Sequence, residues 1–198
     1  MKKKVKVLVV VDMQNDFING SLGSEAAQAI VPNVVDRIKN GGYDVIVATV
    51  DIHFDEDYLN TQEGKWLPVK HCINGTTGVE LNEEVRLALR EYDGEHPKRF
   101  IVLDKHTFGA IKLPHCIDDL VLYHDEEPGE IDIVGLCTDI CVINNAMILK
   151  AAYPEAKMSV YANCCAGSTE LAHKLVLRVM RSCQIDVIYG TEEEREKD

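Results

Sequence analysis

Ile131-Asp132-Ile133-Val134-Gly135-Leu136-Cys137-Thr138-Asp139-Ile140-Cys141-Val142 is the run on which the fold turns. Residues 131–136 are short and, apart from Asp132, without a charged side chain, as in a strand covered on both faces. Residues 142–152 carry apolar side chains at helical spacing. Cys141 falls at the joint. A helix start presents unpaired N–H groups and a partial positive charge, an environment that favours thiolate over thiol. A free cysteine is more often a small buried apolar residue. Reading Cys141 as a nucleophile therefore needs support from the rest of the chain.

The alternation of strand and helix extends in both directions. Strands are predicted at 6–11, 44–50, 99–103, 131–136, 157–162 and 185–188, and helices at 25–40, 79–92, 142–152 and 169–182. The helix at 25–40 is expected to stop at Gly41-Gly42. Residues 52–77 show no periodicity and are rich in His, Asp, Gly and Pro, and a loop of that length in a compact domain is usually functional. Residues 107–129 read as irregular, with one short helix near 117–123. Alternating strands and helices predict an α/β fold around a parallel sheet with right-handed crossovers. Neither GxGxxG nor GxxxxGK[ST] follows the first strand, so no nucleotide cofactor is expected.

At 198 residues the chain suits one domain, 1–198, with a charged tail at 192–198. The net charge of −12 argues against nucleic acid and anionic membranes as partners. No apolar run reaches membrane-spanning length, and Asp12 interrupts the first run too early for a secretory signal, which gives a cytosolic reading. The seven cysteines are odd in number and form no CxxC pair. That disfavours a disulfide framework and a Cys-rich zinc site.

Asp12, Lys105 and Cys141 each lie at the C-terminal end of a predicted strand: the first, third and fourth. In a doubly wound sheet those ends converge on one crevice. A cysteine nucleophile needs a partner that takes its proton and later delivers it to the leaving group. Asp12, poised by burial, is the candidate, with Lys105 holding the carboxylate by opposite charge. A second constellation ends the second strand. Asp51 and His53 alternate on an extended segment and point the same way, and His71 follows in the long loop. Two imidazoles and a carboxylate leave room for water or substrate, as a catalytic metal site requires.

Asp12-Met13-Gln14-Asn15-Asp16-Phe17, Lys105 and the 135–142 run resemble the signature of the isochorismatase-like cysteine hydrolases. The resemblance implies a three-layer, doubly wound parallel sheet of six strands in order 3-2-1-4-5-6. It implies a catalytic triad on Asp12, Lys105 and Cys141. It also implies a cis peptide between Leu136 and Cys137, with an oxyanion hole formed by the backbone N–H groups of Cys137 and Cys141. Asp51, His53 and His71 are similar to the metal site of the nicotinamidase branch, to which Glu63 adds a candidate fourth ligand. One divalent transition metal follows, Zn, Mn or Fe, with Zn favoured. The branch implies deamidation of nicotinamide through a thioester, and the alternative is a related amidohydrolase acting on a carbamoyl, ureido or other small amide substrate. Relatives are commonly homo-oligomers.

Two departures bear on the substrate pocket. Ile52 stands where the branch has Trp, and Trp66-Leu67-Pro68-Val69-Lys70-His71-Cys72 is two residues longer than the usual Trp-Pro-x-His-Cys. Phe17 keeps its family position as a stacking partner for a planar ring, and Trp66 is a candidate pocket or lid residue. His96, His115, His124 and His173 show no pairing at ligand spacing, and His106, beside Lys105, reads as a solvent-facing or core residue.

Overall fold

A computed structural model describes residues 2–122 and 124–192. Six strands form one sheet: β1 (Lys3–Val11), β2 (Val45–Asp51), β3 (Phe100–Lys105), β4 (Glu126–Leu136), β5 (Lys157–Ala166) and β6 (Asp186–Ile188). All pairs are parallel and the order is β3-β2-β1-β4-β5-β6, as the resemblance implies. Among the described residues, eight α-helices complete the fold: α1 (Asn15–Ile18), α2 (Glu25–Ala29), α3 (Val31–Asn40), α4 (Gln62–Trp66), α5 (Glu83–Glu95), α6 (Leu113–Leu122), α7 (Ile143–Ala152) and α8 (Glu170–Ser182).

The continuous Val/Leu run of β1 feeds two cores. Val5, Val7, Val9 and Val11 pack with α6, α7 and α8, whereas Leu8 and Val10 pack with α2, α3 and α5. A strand buried on both faces needs apolar residues at every position, and this is why β1 shows no alternation. Among the described residues, no helix is long and apolar enough to cross a membrane.

Several boundaries differ from the sequence reading, and four of the differences have a local cause or bear on the fold. The helix expected at 25–40 is two helices, because Pro32 lies in the first turn of α3 and cannot donate the N–H that would continue α2. The helix expected at 79–92 begins later, at Glu83, where the Asn82 side chain accepts hydrogen bonds from the N–H groups of Glu84 and Val85. The segment read as irregular holds all of α6 and the first part of β4. Pro128 and Gly129 resemble a turn, but they sit in β4 where the register against β1 slips by one residue, a bulge that absorbs Gly129. Tyr123 and most of the charged tail, 193–198, lie outside the described residues.

Register sets up the site. Val11 pairs with Thr49 on one side and Gly135 on the other, and Asp51 pairs with Lys105. The residues that end the strands therefore form neighbouring rows at one edge of the sheet. At Gly135 the strands β1 and β4 come so close that a Cβ would stand 2.0 Å from the Val11 carbonyl oxygen, and φ is +120°. Only glycine fits there.

Candidate active site

Asp12 leaves β1 with φ at 48°, in the left-handed region, which turns its side chain under the sheet edge into full burial. Its Oδ1 accepts a hydrogen bond from Thr49 Oγ1 at 2.7 Å, and its Oδ2 lies 2.8 Å from Lys105 Nζ. Lys105 closes β3, and its ammonium also donates to Cys141 Sγ at 3.6 Å. Cys141 lies in a single turn of π-helix, Thr138–Val142, between the end of β4 and α7. The turn closes through the Val142 N–H, which donates to the Cys137 carbonyl. The Leu136–Cys137 peptide that enters it is cis. Asp12, Lys105 and Cys141 thus stand together at the strand ends, from three separate parts of the chain.

Burial sets the resting charges. It pushes the Cys141 thiol well above its usual range, the Asp12 charge adds to the effect, and Lys105 opposes it. Burial likewise raises Asp12 above an ordinary carboxylate, with Lys105 pulling the other way. Burial works against the Lys105 charge, but the Asp12 and Asp51 carboxylates outweigh it and keep the ammonium. The expectation of a thiolate held by a helix start is therefore revised. Cys141 rests as a thiol, because a second negative charge beside Asp12 in a dry site costs more than one ammonium returns. The proton must move when the thiol reacts, and Asp12 is the carboxylate placed to receive it.

The second constellation sits one strand away. Asp51 ends β2, and a short parallel bridge pairs His53 with Ile73. That bridge draws the two ends of the long loop together and sets His71 beside His53, with ring centroids 4.8 Å apart. Glu63 enters from α4, a helix started by the Thr61 side chain, which accepts from the Gly64 N–H. One donor atom from each of Asp51, His53, Glu63 and His71 lies within 4.8 Å of every other. His53 Nε2 is 2.8 Å from Asp51 Oδ2 and 3.5 Å from Glu63 Oε1, and His71 Nε2 is 3.5 Å from the same Glu63 oxygen.

These residues fit a metal by their chemistry. The Val69 carbonyl accepts from His71 Nδ1–H at 2.9 Å. That leaves the Nε2 lone pair directed at the cluster, the orientation that a second hydrogen bond gives a ligating histidine. A set of two nitrogens and two carboxylate oxygens suits Zn, Mn or Fe. Asp51 Oδ1, the oxygen turned from His53, is buried without a hydrogen-bond partner and lies 3.3 Å from Lys105 Nζ. Lys105 is thus shared by both constellations, a link the sequence reading did not contain.

Phe17 is buried against the His71 ring, with centroids 5.3 Å apart. Trp66 is not brought to the site. It projects from the last turn of α4 with 82% of its surface exposed, and Leu67 to Lys70 separate it from His71.

Several supporting residues escaped the sequence reading. Gln14, fully buried, accepts from the Asp51 N–H and donates to the Asp51 and Val79 carbonyls. Asp16 accepts from the Cys72 N–H and so fixes the backbone next to His71. A polar run directly after a buried strand was their signal. Tyr58, also buried, lays its ring against both His53 and His71. An aromatic in an aperiodic loop gave no sign of this.

Fold and site together define a doubly wound α/β protein with a buried thiol, ammonium and carboxylate at its strand ends and a His/carboxylate cluster beside them. The chain belongs to the isochorismatase family: the isochorismatase domain matches residues 6–192. It is 26% identical over 151 residues to the nicotinamidase/pyrazinamidase of Mycobacterium tuberculosis, which spans 72% of this chain and 77% of that protein. The crystal structure of nicotinamidase/pyrazinamidase PncA from Bacillus subtilis superposes with a TM-score of 0.77 at 26% identity, over 95% of this chain and all of that one. The pyrazinamidase of Pyrococcus horikoshii, solved in complex with zinc, shares the fold with a TM-score of 0.71 at 22% identity, over 93% of this chain and 98% of that one.

Proposed function

We propose that the protein is a metal-containing cysteine amidohydrolase that deamidates nicotinamide to nicotinate and ammonia. The observation that carries the proposal is the position of Lys105 Nζ, which reaches Asp12, Cys141 and Asp51 from one buried point. Family membership and the activities named for the relatives support the same substrate class.

In this reading the Cys141 thiol gives its proton to the Asp12 carboxylate as sulfur attacks the amide carbonyl. The backbone N–H groups of Cys137 and Cys141 receive the oxyanion, often the largest single catalytic contribution in acyl transfer. Asp12 returns the proton to the departing nitrogen, and ammonia leaves. A water then attacks the thioester while Asp12 takes its proton, and release of the carboxylate restores the thiol. Lys105 stays charged throughout and keeps Asp12 able to act as acceptor. Asp51, His53, Glu63 and His71 would hold the metal, which would supply a Lewis-acidic position for the substrate's ring. Phe17 flanks the ring on the His71 side. We propose with it a homo-oligomeric assembly, to be read by light scattering.

The test is ammonia release from nicotinamide by protein loaded with zinc, manganese or iron. Cys141→Ala abolishes turnover and leaves the fold and the bound metal in place. Retained deamidation in that variant removes the covalent mechanism.

A further inference from the structure

Thr138 and Asp139 belong to the run that identifies the family, yet neither side chain has a part in the chemistry above. Both turn away from the thiol and toward the junction of β5 and α8. Thr138, fully buried, shares a hydrogen bond of 2.8 Å between its Oγ1 and His173 Nδ1. Asp139 accepts two hydrogen bonds from one residue: Oδ1 from the Ser168 N–H at 2.7 Å and Oδ2 from the Ser168 hydroxyl at 2.5 Å. The junction has no slack. A Cβ on Gly167 would stand 2.9 Å from Asp139 Oδ1 and 2.9 Å from the His173 backbone nitrogen.

We infer that Ser168 and His173 are positioning residues, which clamp the turn carrying Cys141 by holding Asp139 and Thr138. The inference rests on the acyl-transfer reading given above. Asp12 and Lys105 are carried by β1 and β3, on one side of β4, whereas the clamp lies on the other, at the start of α8. The turn Thr138–Val142 is thus held between two sides of the sheet. Its backbone N–H groups must meet an oxyanion whose place is fixed by the strand residues. The two side-chain tethers oppose a slide of the turn relative to those strands. A displacement of about 1 Å in such a group costs about a hundredfold in rate. Neither His173 nor Ser168 touches the reacting atoms, so their effect passes through backbone geometry.

A substrate-independent comparison tests this. p-Nitrophenyl acetate acylates Cys141: sulfur attacks the ester carbonyl, the acetyl group moves to sulfur, p-nitrophenolate leaves, and the thiol proton goes to Asp12. Iodoacetamide alkylates the same sulfur: the thiol proton goes to Asp12, the new carbon–sulfur bond displaces iodide, and no oxyanion develops. Rates are expressed per folded molecule, counted by circular dichroism, and adducts are assigned to Cys141 by comparison with Cys141→Ala, since the chain holds six other cysteines. His173→Ala slows acylation by about tenfold to a hundredfold and alters alkylation by less than about threefold, because alkylation does not use the oxyanion donors. His173→Asn, whose amide can place a polar atom near the position of Nδ1, restores most of the acylation rate. Ser168→Ala has a smaller effect in the same direction, since the backbone N–H still reaches Asp139. Equal losses in both reactions, or no loss in acylation, overturn the inference. A wild-type protein that is acylated by the ester but inert toward nicotinamide strikes down the proposed substrate and leaves this comparison standing.

Discussion

The thiol corner of the site rests on strand ends, whereas the metal-ligand cluster rests mostly on a loop. Asp12 adjoins β1, whose register is set by ladders on both sides, Lys105 ends the edge strand β3, laddered along its length to β2, and Cys141 sits in the turn that leaves β4. In the cluster only Asp51 is a strand residue. His53 is held by one isolated bridge, Glu63 by the five-residue helix α4, and His71 by a carbonyl and by the rings of Phe17 and Tyr58. Strand-borne groups inherit their position from the whole sheet, and loop-borne groups need local supports of their own. Gln14, Asp16 and Tyr58 are such supports, which explains why this half of the site recruits more helpers.

Lys105 joins the halves, so replacing it is the strongest way to break the comparison. Lys105→Met leaves the buried carboxylates of Asp12 and Asp51 without their shared cation, a loss of about 3 kcal/mol in folding stability. Turnover should fall about a thousandfold, because Asp12 then holds its proton and no longer serves as base. Metal content after dialysis should persist, since Asp51 keeps its two histidine neighbours. Co-purified metal lost together with activity would show that the two halves are one unit.

His71→Ala strikes the loop-borne half alone. Loss of a ligand should weaken metal retention by about a hundredfold or more, at least the cost of disturbing a ligand's outer partners. Alkylation of Cys141 by iodoacetamide should proceed at the wild-type rate, because the strand-borne groups do not lean on the loop. A matching collapse in alkylation would contradict the division.

The acid limb of the pH profile sharpens the same contrast. Asp12 accepts a proton only when ionised, and burial raises its pKa above the usual carboxylate value of 3.8 despite the opposing pull of Lys105. As pH falls through that raised value Asp12 becomes protonated, and kcat/KM should drop about tenfold per pH unit. If this limb belongs to Asp12, raising free zinc tenfold leaves it in place. A limb that moves to lower pH with added zinc reports metal loss from the histidines instead.

How much of this was legible in the sequence follows the same line. The strands themselves, the two-faced burial of β1 and the meeting of Asp12, Lys105 and Cys141 came from local signals, apolar runs and the residues that end them, whereas the strand order came from the family resemblance. Asp51 and His53 were legible as alternate residues at a strand end. The support given by Tyr58, the exposure of Trp66 and the link from Lys105 to Asp51 were not, because each depends on how one irregular segment folds back. The resting state of the thiol was misread for a different reason. A helix start is a local feature, whereas the burial and the carboxylate that outweigh it come from elsewhere in the chain. β4 was shortened in the reading because Pro128 and Gly129 look like a turn until the bulge against β1 is known.

Trp66 offers the smallest effect and a clean distinction between loop residues that build the site and those that only share its segment. Its neighbour Glu63 on the same short helix faces both histidines, while the indole is four-fifths exposed. Trp66→Ala should change stability by less than about 0.5 kcal/mol, as exposed substitutions do. Glu63→Gln removes a charge from the cluster and should weaken metal retention, whereas Trp66→Ala should not. If the indole instead closes over bound nicotinamide, its removal raises KM severalfold at unchanged metal content. Measuring KM and metal occupancy on both variants separates the two, and a KM within twofold of wild type for Trp66→Ala places the ring outside the pocket.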